Sequence, residues 1–96
     1  KDITLDLDCF DAIVGSQKAG LSKREFEIIR MMMNYPNKVF TKNNLYESVW
    51  GGEFLGDDNT VNVHIIKLRA KLNAISPGAE YIQTVWGIGF KMNEKV

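Results

Sequence analysis

The stretch Asn59 to Asn73, NTVNVHIIKLRAKLN, decides how the rest of the chain is read. At about 100° per residue its apolar positions fall into two sets that point in opposite directions. Val61, Ile65, Leu68 and Leu72, continued by Ile75, form one narrow stripe that seats a helix on a core. The opposite side carries Asn59, Val63, Ile66, Ala70 and Asn73, with Asn62 and Lys67 beside them. Thr60, His64, Lys67 and Lys71 border that strip on one flank and Arg69 on the other, and the segment contains no acid. Two readings fit such a face. Either Val63, Ile66 and Ala70 pack on another part of the domain, or the face meets a partner. Double-stranded DNA is one such partner: amides meet base donors and acceptors, aliphatics meet thymine methyls, and cations or hydroxyls at the flanks meet phosphates.

The remaining 81 residues bound the possibilities. A chain of 96 residues, 45% hydrophobic and 25% charged, has the composition of one globular domain. No apolar run approaches the roughly 20 residues of a membrane span, and the N-terminus lacks the pattern of a signal peptide, so a cytoplasmic protein without membrane contact is expected. Cys9 is the single cysteine, which leaves no intramolecular disulfide and no cysteine-rich zinc site. The first residue is Lys1, as in a piece of a longer polypeptide. Twelve basic and twelve acidic residues cancel, whereas most nucleic-acid-binding domains are basic. The distribution is uneven: Asp2, Asp6, Asp8 and Asp11 crowd the start, and the cations gather on the Asn59 to Asn73 segment.

Before that segment, ITLDLDCF alternates Ile3, Leu5 and Leu7 with polar residues, the pattern of a half-buried strand, and a short strand over Phe10 to Val14 follows. GSQKAG, between Gly15 and Gly20, reads as a turn. Ser22 and Glu25 form a capping box for a helix over Lys23 to Asn34, with Phe26, Ile29 and Met33 inside and Ile28 and Met32 widening the stripe. The helix ends at Tyr35-Pro36-Asn37. Thr41 caps a second helix, Lys42 to Trp50, with Leu45 and Val49 inside and Tyr46 and Trp50 beside them. Gly51 to Asp58 is a loop whose Asp57 or Asp58 caps the third helix, and Ser76-Pro77-Gly78 turns the chain again. Two short strands, Tyr81 to Val85 and Phe90 to Met92, then flank Trp86-Gly87-Ile88-Gly89, whose glycines supply positive φ angles.

Strands, three helices and a terminal glycine hairpin, in that order, make a winged helix-turn-helix. LSKREFEII, VFTKNNLYESVWG, NTVNVHIIKLRAKL and YIQTVWGIGFKM together resemble the DNA-binding effector domain of OmpR/PhoB-type response regulators, over essentially the whole chain. The resemblance implies an α+β fold with an N-terminal antiparallel sheet, three helices and a C-terminal β-hairpin wing, residues 1–96 forming the output half of a two-component transcription factor. The receiver domain that carries the phosphorylated aspartate is absent from this sequence. The third helix, about 58–73, is then expected in the major groove and the wing, 81–92, at the minor groove.

Carried over by motif, Asn59, Thr60, Asn62, Ile66 and Lys67 stand where family members contact bases or adjacent backbone. His64 and Arg69 stand at phosphate-contacting positions, with Lys71 on the flank of His64, and Trp50 and Thr84 match residues beside phosphates. The loop containing Glu53, Phe54 and Leu55 corresponds to a segment implicated in contacting RNA polymerase; Phe54 and Leu55 either make that contact or tuck inward. The implied partners are tandem DNA half-sites, RNA polymerase and a second copy, paired on DNA mainly through the receiver. Two positions depart from the family. Trp86 replaces a wing arginine and either lies over sugar and phosphate or folds back on Phe90, the packing arrangement being favoured. Ile66 replaces a frequent cation, which implies an A·T-leaning half-site because isoleucine reads a thymine methyl but forms no bidentate pair with guanine.

The alternative function is a protein-interaction winged helix docking through Val63, Ile66 and Ala70. Catalysis has no supporting constellation, and no cofactor is implied. His64, the one histidine, serves either a phosphate or a local structural hydrogen bond. Glu53, Asp57 and Asp58 lack calcium-loop spacing, Gly87 and Gly89 lack the pattern of a phosphate cradle, and the serines have no nearby His-acid pair.

Overall fold

The structure is a computed structural model that describes residues 2–55 and 59–93. Its elements run β1 (Ile3–Asp6), β2 (Asp11–Val14), β3 (Gln17–Gly20), α1 (Lys23–Asn34), α2 (Lys42–Trp50), α3 (Thr60–Ile75), β4 (Ile82–Val85) and β5 (Gly89–Met92). β1, β2 and β3 form an antiparallel sheet in that order, and β4 and β5 pair as a separate hairpin. This is the expected winged helix-turn-helix, with one strand more.

The additional strand is β3, which occupies most of GSQKAG. Only Gly15 and Ser16 turn: Gly15 has φ 60°, as the first loop position of a type II′ hairpin requires, and Gln17 already pairs with Val14. The alternation of ITLDLDCF also stops early. Asp6 Oδ1 accepts the N–H groups of Asp8 and Cys9 at 2.9 and 3.2 Å and bends the chain out of β1, so Leu7 is exposed rather than inward. The same two bonds favour the ionised Asp6 carboxylate and lower its pKa. Phe10 closes this turn at φ 59°, its ring 4.9 Å from that of Phe26.

The helices start where the side chains dictate. Ser22 Oγ accepts from Glu25 N–H and Glu25 Oε1 accepts from Ser22 N–H, the expected reciprocal box. Thr41 and Asn44 make a second one at α2, which ends on Gly51 at φ 83°. At α3 the cap position falls on Asn59, whose side chain makes no cap hydrogen bond; Asp57 and Asp58 lie outside the described residues. The core centres on Ile28, Ile29, Met32, Leu45, Ile65 and Leu68, all wholly buried. In α1 the stripe is rotated from the expected one: Ile28 and Met32 sit at its centre and Met33 is half-buried at its edge, because α2, α3 and β5 all pack on this helix. No helix among the described residues is long and apolar enough to cross a membrane.

The hairpin is fastened to the helical body through Phe40. Phe40 and Phe90 exchange both backbone hydrogen bonds, at 2.7 and 2.9 Å. Gly87 has φ 79°, as a turn glycine should. Gly89 differs from the expectation for the pair: its φ is not positive, and glycine is needed because a Cβ would lie 2.0 Å from the Phe40 carbonyl oxygen.

Candidate nucleic-acid interface

α3 presents the two faces its periodicity implies. Val61, Ile65, Leu68, Leu72 and Ile75 are buried, while Val63 is 42% and Ile66 64% exposed and Asn59, Lys67 and Ala70 are exposed with them. The doubly buried helix is thereby excluded. Asn62 is half-buried on the side facing the wing. There a cleft of 720 Å³ runs between the start of α2, α3 and the hairpin, with Asn43, Asn62, Ile66, Thr84, Trp86 and Ile88 among its walls. Asn62 and Ile66 of α3 and the wing tip therefore border one concave surface.

Trp86 stands at the end of that surface and is 88% exposed. This corrects the favoured packing arrangement, because the turn at Trp86-Gly87-Ile88 carries the indole away from Phe90, whose ring is buried under the hairpin. Ile88 is exposed beside it.

Trp50 ends α2 in a layered cluster. Its ring stacks on Tyr46 at 5.4 Å and 7°, the Arg24 guanidinium lies 5.5 Å from its centroid, and the His64 ring meets it edge-on at 4.9 Å. His64 Nδ1 donates to the Thr60 carbonyl at 2.8 Å, which is the local structural bond. The imidazole is thus fixed in orientation on the flank of α3, one ring nitrogen engaged. Tyr46 also carries Phe54, with ring centroids 5.6 Å apart, so Phe54 tucks inward while Leu55 is 77% exposed and Glu53 is exposed.

The two remaining cations of α3 are engaged within the domain. Lys71 Nζ lies 2.6 Å from Glu25 Oε1, the capping carboxylate of α1, which is 2% exposed. Burial pushes the Glu25 pKa up, but the Lys71 bond, the Ser22 N–H and the Lys71 charge outweigh it and the net shift is downward. Arg69 Nη2 donates to the Ile82 carbonyl at 3.1 Å and to Thr84 Oγ1 at 2.7 Å. Neither tie was legible in the chain, since partners 46 and 13 to 15 residues away have no periodic signature. Among the described residues Asp6, Cys9 and Asp11 are the one group close enough to hold a metal ion, and they lie in the N-terminal turn.

An amphipathic third helix with an outward, acid-free face, set beside a glycine hairpin, defines the class of winged-helix DNA-binding folds. The chain belongs to the family described as transcriptional regulatory protein, C terminal, whose model matches residues 16–92; this is the OmpR/PhoB-type effector domain. The transcriptional regulatory protein SrrA of Staphylococcus aureus is 40% identical over 96 residues, 99% of this chain and 40% of that protein. The chain thus spans about 40% of the length of the curated relatives it matches. Among solved structures, the response regulator AdeR DNA-binding domain in complex with an intercistronic region is similar, with TM-score 0.81 and 28% identity over 97% of this chain and 95% of that one. So is the Klebsiella pneumoniae RstA DNA-binding domain in complex with RstA box, with TM-score 0.80 and 26% identity over 96% and 91%.

Proposed function

We propose that residues 1–96 bind double-stranded DNA in a sequence-specific way and regulate transcription as the cytoplasmic output domain of a two-component response regulator. The observation that carries this reading is the outward face of α3, where Asn62 and exposed Ile66 share one concave surface with the wing tip and Lys67 is exposed on the same helix. Asn59, Asn62, Ile66 and Lys67 face base edges, and Thr60, His64, Thr84 and the backbone at Trp50 face phosphates. The similar AdeR and RstA domains, solved in complex with an intercistronic region and with RstA box, support the DNA-binding reading. Trp86 lies over sugar and phosphate with its indole N–H as donor, in place of a minor-groove cation. Exposed Leu55 and Glu53 are the side chains of the 51–58 loop that reach RNA polymerase, and copies pair side by side on tandem half-sites, mainly through a receiver domain.

The neutral overall charge limits the affinity of one copy. With about three to five phosphate contacts per monomer, log affinity is expected to fall with log salt with a slope of about −3 to −5. A slope near zero on an enriched duplex contradicts groove docking. Replacing Lys67 by alanine is expected to weaken binding by about tenfold with little change in melting temperature, as Lys67 is exposed and outside the core. Equal losses of stability and of binding, with intact binding per folded molecule, would remove Lys67 from the interface. Selection from a random duplex pool tests the function itself. An A·T-leaning motif is expected; enrichment of no motif favours the protein-interaction reading, to which exposed Ile66 and Trp86 are equally suited.

A further inference from the structure

We infer that Arg69 is a positioning residue: it sets the orientation of the wing relative to α3 and is not one of the phosphate-binding cations of the interface. Its effect on binding rests on the DNA reading above. Both hydrogens of Nη2 are placed on β4, one on the Ile82 carbonyl and one on the Thr84 hydroxyl. The guanidinium carbon stands 5.7 Å from the centroid of the Phe90 ring, on β5. Thr84 and Phe90 are direct cross-strand partners, so one planar group bonds one member of the pair and covers the other.

Phe90 is then held from two sides, by the Phe40 backbone bridge and by the Arg69 guanidinium from α3. A two-stranded hairpin is marginal by itself, and its orientation is set by such outside ties. Half-burial of the guanidinium, which disfavours its charged form, accords with a group turned into the domain, with the Glu80 charge acting the other way. Lysine has the charge but not the planar fork that spans two acceptors and lies on a ring. That difference separates positioning from phosphate contact.

The test compares Arg69→Lys and Arg69→Gln. In the free chain, residual dipolar couplings of the amides of 82–92, referred to α3, are expected to change in both variants. On a duplex enriched from a random pool, both variants are expected to bind about tenfold more weakly. Hydroxyl-radical protection is lost at the wing edge and kept opposite α3. Unchanged couplings, with Arg69→Lys binding as the parent and Arg69→Gln showing a salt slope smaller by about one, make Arg69 a phosphate contact and overturn the inference. If Arg69→Gln does not fold, Thr84→Val in the free chain decides: reoriented wing couplings sustain the strut and unchanged ones refute it. If no duplex is enriched, the DNA reading fails while the free-chain couplings still decide the strut.

Discussion

Replacing Gly89 by alanine is expected to lower the unfolding free energy by about 3 kcal/mol or more, at the upper end of overpacking changes. The added Cβ meets the Phe40 carbonyl oxygen at 2.0 Å, its carbon at 2.8 Å and the Thr41 Cα at 2.9 Å, all of them backbone atoms. No rotamer change relieves such a contact, so β5 moves off Phe40 and the paired hydrogen bonds between Phe40 and Phe90 are lost. Thr41 caps α2, so the disturbance reaches the start of that helix. Gly87→Ala is the control. Gly87 has the unusual φ of 79° but open space around it, so alanine there costs only about 1 kcal/mol of backbone strain. Urea denaturation of both variants checks the ordering; Gly87→Ala as the more damaging change contradicts the docking.

Lys71→Met should destabilise the chain by about 2 kcal/mol at neutral pH, because it leaves the Glu25 carboxylate buried with Ser22, whose N–H donates to Oε1, as its remaining partner. Methionine retains most of the aliphatic stem, so the loss isolates the charge pair. The pH dependence follows from the direction of the Glu25 shift. The folded pKa is depressed, so the carboxylate contributes stability above the unfolded value of about 4.3, and that contribution is lost as pH falls through the folded pKa. The gap between parent and Lys71→Met is therefore largest near pH 7 and closes only as pH falls through the depressed folded pKa of Glu25, below which the carboxylate is protonated in both. Glu25→Gln combined with Lys71→Met recovers part of the loss, since no buried charge remains. A pH-independent gap in denaturation midpoint would show that Lys71 acts through packing alone.

What was legible in the sequence is what repeats or acts locally. The buried stripe of α3 follows from helical periodicity, and the caps Ser22 and Thr41 from side chains that bond within three residues. β3 escaped because QKAG has neither alternation nor β-branched residues; its strand state comes from pairing with β2 across a two-residue loop. Leu7 fits the alternation and still points outward, since Asp6 ends the strand through its own side chain. At the interface, exposure of Ile66 was legible and that of Trp86 was not, because an aromatic ring beside a turn glycine packs inward or outward according to tertiary geometry. Arg69 and Lys71 are the instructive pair. Both sit on the cationic helix, yet each is tied to a partner in the folded domain, Arg69 to β4 and Lys71 to Glu25.

The most direct test of the account is an amide chemical-shift titration of the chain with a duplex enriched from a random pool. The largest changes are expected on Asn59, Asn62, Ile66 and Lys67 and on residues 84–88 of the wing, with the β1 to β2 turn around Leu7 unmoved. Changes concentrated on the N-terminal sheet, or none on the outward face of α3 under saturating duplex, would contradict it.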